Sequence, residues 1–105
     1  MRLNLALTAA AVLISTTPLA FAAGDAAAGK QLAERSCASC HQVEPSGTAR
    51  DTAPPFPALA KKGGKDLGWA RAWLANPHPP MQGIDLSRQQ TDDIIAYLQS
   101  LAPKP

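Results

Sequence analysis

Cys37-Ala38-Ser39-Cys40-His41 is the stretch that decides how this chain reads. Two thiols separated by two residues and followed at once by an imidazole form the C-x-x-C-H pattern of covalent haem attachment. The chemistry uses all three side chains. Thiols on one helical turn reach the two vinyl groups along one porphyrin edge and form thioethers, while the adjacent histidine swings under the plane and ligates the iron. Plainer uses of a C-x-x-C pair fit less well. A thioredoxin-like couple belongs beside a βαβ pattern, and none is visible. Structural zinc needs four protein ligands, and here the two cysteines are joined only by His41 and His78, in a spacing unlike that of a zinc finger. A simple disulfide is the remaining alternative.

Working back from the motif, Asp25 caps a helix running from Ala26 through Arg35 into the first cysteine. Gly29 inside that helix costs about 1 kcal/mol relative to alanine, a cost that a close backbone crossing would offset; an exposed turn is the plainer explanation. Further back, residues 1–22 begin with Arg2, continue through the apolar run Leu5 to Ile14, meet Pro18 and end in Ala20-Phe21-Ala22. That order describes a secretory signal peptide, cleaved between Ala22 and Ala23, with 23–105 as the single mature domain. An uncleaved anchor is the alternative, but the apolar core is short for a membrane span.

Without that segment roughly eighty residues remain, too few for a large hydrophobic core unaided, and a buried porphyrin supplies the missing apolar bulk. Export to an oxidising compartment accommodates the two cysteines without a disulfide, since the thioethers use both. The formal charge of +2 includes Arg2, so the mature chain is close to neutral and overall charge identifies no partner. Lys61, Lys62 and Lys65 around Gly63-Gly64 read either as a basic docking spot or as an ordinary solvated loop. Nothing beyond them suggests nucleic acid.

Forward of the motif, Gln42 to Pro57 is rich in proline, glycine and small polar residues, a loop long enough to need something to wrap. Pro57 suits the first position of a short helix carrying Phe56, Leu59 and Ala60 inward and ended by Gly63-Gly64. Asp66 is the expected cap of a helix from Leu67 to Ala75, stopped by Asn76-Pro77. Trp69 and Trp73 lie one turn apart on it, as do Ala70 and Leu74; the indoles read as packing, with one N–H available to a haem propionate. Ser87-Arg88-Gln89-Gln90 has the capping-box form, and the last helix runs to about Leu101, with Ile94, Ile95, Leu98 and Leu101 as its buried stripe and Tyr97 beside them.

With His41 on one axial position of the iron, the candidates for the other are Met81 and His78, both in the proline-rich stretch Asn76-Pro77-His78-Pro79-Pro80-Met81-Gln82-Gly83. A stiffened loop of this kind is a poor place for a core methionine, which favours a thioether ligand at Met81 and leaves His78 as a rim residue. His/Met ligation closes both axial sites, so such a centre transfers electrons rather than activating oxygen or peroxide.

This order of features resembles the class I cytochromes c of bacteria over nearly all of the chain after residue 22, in a compact form shorter than the mitochondrial type. The resemblance implies an all-α fold, about four helices with long loops around one covalently bound haem c. In that family the terminal helices cross through a glycine and aromatics. Gly29 and Tyr97 match those positions, while Ala33 stands where the family usually has an aromatic. A proline carbonyl there accepts the ring N–H of the iron-ligating histidine; Pro54, followed two residues later by Phe56, fits best, and Pro55 second. The site expected is therefore Cys37, Cys40, His41, Met81 and Pro54, with His41 and Met81 on the metal. The implied role is a periplasmic, monomeric, non-enzymatic carrier exchanging single electrons with transient protein donors and acceptors, meeting membranes only through partner complexes. The alternatives are an open-site haem protein, peroxidase-like or gas-binding, and a haem subunit of a larger redox enzyme.

Overall fold

A computed structural model describes residues 11–16, 24–62, 67–77, 79–81 and 83–103. The expected cleavage site at Ala22/Ala23, the stop at Gly63-Gly64, the cap Asp66, Lys65 and His78 all lie outside the described residues. Within them the chain forms four helices and no strand: α1 (Ala26–Ser36), α2 (Phe56–Lys62), α3 (Gly68–Ala75) and α4 (Arg88–Leu101).

The helix ends follow from local chemistry. The Asp25 carboxylate accepts from the Ala27 and Ala28 amides at 2.8 and 3.1 Å, satisfying donors that the first turn of α1 leaves open. At α4 the Ser87 hydroxyl accepts from the Gln90 amide at 3.1 Å, and the Gln90 side chain accepts from the Ser87 amide at 2.9 Å, a complete capping box. Helix α2 begins one residue earlier than expected, at Phe56, whose amide is already bonded to Gln42. Leu67 occupies the N-cap of α3 and makes no side-chain capping bond.

Packing centres on α4, which meets each of the other three helices and α1 most extensively. Ile94, Ile95, Tyr97 and Leu98 bury its inner face against Leu32 and Ala33 of α1, Phe56 of α2 and Ala70 of α3, with Leu101 only partly buried. The crossing of α1 on α4 is a backbone contact. A Cβ added at Gly29 would collide with the Asp93 carbonyl oxygen and lie 2.9 Å from the Tyr97 Cβ, so glycine is required by proximity, not by an exposed turn. Asp93 also stitches the crossing polar side, its buried carboxylate accepting from the Asp25 amide at 2.8 Å and the Gln89 amide nitrogen at 2.9 Å. Arg71 of α3 reaches Asp92 of α4 at 2.6 Å, a partly exposed pair that holds orientation more than it adds stability.

Tyr97 extends the crossing to the loop: its hydroxyl donates to the Val43 carbonyl at 2.5 Å, and the residue is only 4% exposed. Burial pushes the phenol above its ordinary value of 10.0, and the Glu44 and Glu34 carboxylates push the same way. Its neutral form is the one the fold holds. This contribution is complete below the unfolded value and is lost as pH rises through the raised folded value.

Gly29→Ala is expected to lower unfolding stability by about 1–3 kcal/mol, overpacking outweighing the better helix propensity of alanine, as denaturant titration would measure. Tyr97→Phe should cost about 1 kcal/mol at neutral pH and flatten the alkaline fall in stability, seen by comparing unfolding midpoints below and above the tyrosine range.

Candidate functional site

The attachment motif grows directly out of α1. Cys37 closes the helix through its amide bond to the Ala33 carbonyl at 2.8 Å, and the chain then coils once more, with the Cys40 and His41 amides donating to the Cys37 carbonyl at 3.1 and 2.9 Å. That extra turn puts both sulfurs on one short segment with the imidazole immediately after. Cys37 is half-buried and Cys40 exposed, and neither is in a disulfide. Burial, with Cys40 nearby, pushes the Cys37 thiol up, so it is uncharged near neutral pH.

His41 is buried, at 8% exposure, and its orientation is set from behind. Its Nδ1 lies 2.6 Å from the Pro54 carbonyl oxygen. A carbonyl can only accept, so Nδ1 carries the proton and the lone pair of a neutral ring resides on Nε2, the nitrogen left free for a metal. Phe56 meets the imidazole edge-on at a centroid distance of 5.4 Å, and Tyr97 backs Phe56 at 6.2 Å.

Two further bonds flank this one. The Thr52 hydroxyl donates to the Cys40 carbonyl at 2.7 Å, and the Phe56 amide donates to the Gln42 carbonyl at 2.9 Å. Successive residues 40, 41 and 42 are therefore tied to alternate residues 52, 54 and 56. The middle tie is the proline-carbonyl bond that the family resemblance implies; of the outer two, one runs from the Thr52 side-chain hydroxyl to a backbone carbonyl and the other joins two backbone groups, and no local sequence signal points to either.

Helix α3 carries the two indoles, and their surroundings differ. Trp69 is half-buried beneath Lys62, whose ammonium lies 5.4 Å from the ring centroid. Its Nε1 is buried and meets no acceptor among the described residues. An orphaned indole donor of this kind costs about 1–3 kcal/mol, and a haem propionate is an acceptor of the right chemistry to satisfy it. Trp73, one turn further along, is 43% exposed and its Nε1 donates to the Met81 sulfur at 3.2 Å. Met81 itself is half-buried, and its carbonyl accepts from the Ile84 amide at 3.3 Å. The residues present thus suit a covalently bound haem: two thiols on one turn, a buried imidazole with its outer nitrogen free, and an unsatisfied buried donor.

The comparisons agree with this geometry. The family model described as Cytochrome c matches residues 26–102, the whole helical domain. Cytochrome c-552 of Bradyrhizobium diazoefficiens is 39% identical over 82 residues, covering 77% of this chain and 79% of its own length. Cytochrome c-554(547) of Halothiobacillus neapolitanus is 33% identical over 95 residues, covering 75% of this chain and 99% of its own. No solved structure matches the chain.

Proposed function

The chain belongs to the cytochrome c family, and from that premise we propose that it is an exported single-electron carrier whose haem iron is held between His41 and Met81. Its cofactor is a c-type haem, joined covalently through the cysteines at the C-x-x-C-H spacing, and its general role is electron transport between redox partners. Bound haem supplies one-electron exchange at its iron. What the protein adds is attachment, ligand orientation and burial.

The observation that carries the reading is the His41–Pro54 bond. It commits the tautomer that presents Nε2 to a metal and holds the ring plane against rotation, so the ligand is in place in either oxidation state. Cys37 and Cys40, on the turn just before, would hold the macrocycle edge within reach of that imidazole. Met81 is the proposed second ligand, supported by its place on a loop stiffened by Pro79 and Pro80 and by the retention of its thioether at the molecular rim rather than in the apolar core. Trp69 would donate its orphaned N–H to a propionate. With both axial positions taken, electrons would pass through the haem edge to weakly docked proteins, and small molecules would be kept from the iron.

Export rests on the order of Arg2, the apolar run and Ala20-Phe21-Ala22. Val12, Leu13 and Ile14 within that run are exposed and belong to no helix or strand, outside the packed core, and no helix among the described residues is long and apolar enough to cross a membrane. Secreted protein is expected to begin at Ala23 and to weigh that chain plus one haem, as intact mass spectrometry would read.

Absorption spectra of the oxidised and reduced protein, the latter with carbon monoxide, are the direct test. Low-spin bands unmoved by the gas, with the weak far-red band of methionine-ligated ferric iron, are expected; a high-spin spectrum that shifts with the gas would replace this reading with an open-site haem protein. Met81→Ala should remove the far-red band, admit carbon monoxide and lower the potential. Cys37→Ala should cripple covalent haem incorporation, scored as haem stain retained on a denaturing gel.

A further inference from the structure

Among the described residues of the helical domain, Trp73 is the one large apolar side chain left substantially exposed. Its indole N–H is a strong donor with solvent at hand, yet it lies 3.2 Å from the thioether of Met81, a weak acceptor. The frame around the pair imposes that choice. Helix α3 is pinned to α4 by Arg71–Asp92 at 2.6 Å, while the Met81 backbone is constrained by Pro79 and Pro80 ahead of it and by the Ile84 amide behind.

We propose that Trp73 is the residue that positions the Met81 thioether and tunes the reduction potential through it. The inference rests on Met81 being the second axial ligand. A thioether sulfur has two lone pairs; one directed at a metal leaves the other for the indole N–H. A methionine side chain has three rotatable bonds and would otherwise sample many orientations, so a donor on a fixed helix selects the rotamer that the ligand needs. The same bond draws electron density from the sulfur. Ferric iron depends on that density more than ferrous iron does, so the bond favours the reduced state and raises the potential, with no proton moving on electron transfer.

The test uses the haem-loaded protein in three forms: wild type, Trp73→Phe, and a variant with benzothienylalanine at 73, which keeps the bicyclic ring and replaces only the N–H by sulfur. In ferrous wild type, NMR should show a cross-peak between the Trp73 indole proton and the Met81 methyl group. Both variants should keep the far-red band, and at a fixed applied potential their ferrous-to-ferric ratio should fall about two- to fivefold, the scale of one weak hydrogen bond. If Trp73→Phe fails to load haem, the isosteric variant alone decides. A wild-type potential in the isosteric variant, with the far-red band present, overturns the role of Trp73 and leaves methionine ligation standing. A wild type without the far-red band, or a Met81→Ala protein that retains it, overturns the ligation reading and the role of Trp73 with it.

Discussion

The contact between the Gly29 backbone and the Asp93 carbonyl region of α4 is the constraint on which the remaining geometry depends. Helices normally meet through side chains at 8–10 Å between axes, and a glycine at the crossing lets the two backbones come closer. Because α1 ends in the attachment motif, the position of that crossing determines where both thiols and the imidazole emerge. The polar stitching reinforces it. A buried carboxylate is tolerable only when its lone pairs are used, and Asp93 obtains its donors from the cap residue of α1 and from Gln89 one turn earlier on its own helix. Tyr97, on the same face of α4, carries the restraint onward to Val43 and so to the beginning of the loop.

The loop after the motif has little apolar material with which to hold itself, and hydrogen bonds take over that task. Cys40, His41 and Gln42 are each fastened to one residue of the segment that leads into α2, at alternating positions, so the backbone on both sides of the imidazole is restrained as well as the ring itself. If His41 ligates the iron as proposed, a ring restrained in this way would reorient little between oxidation states and so add little to the reorganisation that each transfer requires. Phe56 joins both systems, since its amide completes the backbone ties and its ring packs between His41 and Tyr97.

The two tryptophans of α3 show how one helical turn separates two chemical demands. Trp69 faces inward under Lys62 with a buried donor awaiting an acceptor, whereas Trp73 stands at the rim with its donor on a sulfur. Their spacing alone suggests one apolar face. In the fold the two N–H groups meet different surroundings, one buried without an acceptor among the described residues and the other on a thioether.

By itself the sequence determined whatever depends on neighbours a few residues apart. The C-x-x-C-H triplet identifies the cofactor chemistry, Asp25 and the Ser87–Gln90 box set the starts of α1 and α4, and Asn76-Pro77 ends α3, because caps, breakers and thioether spacing act within a single turn. Pro54 was legible only through likeness to a family, since nothing local distinguishes its carbonyl from that of Pro55. The tertiary structure alone decided that Gly29 lies against Asp93, that Thr52 and Phe56 flank the histidine tie, and that Trp73 rather than Trp69 meets Met81. The partners in these contacts lie as few as eight and as many as sixty-four positions apart in the chain, depending on how the intervening segments turn, and no local propensity encodes that path.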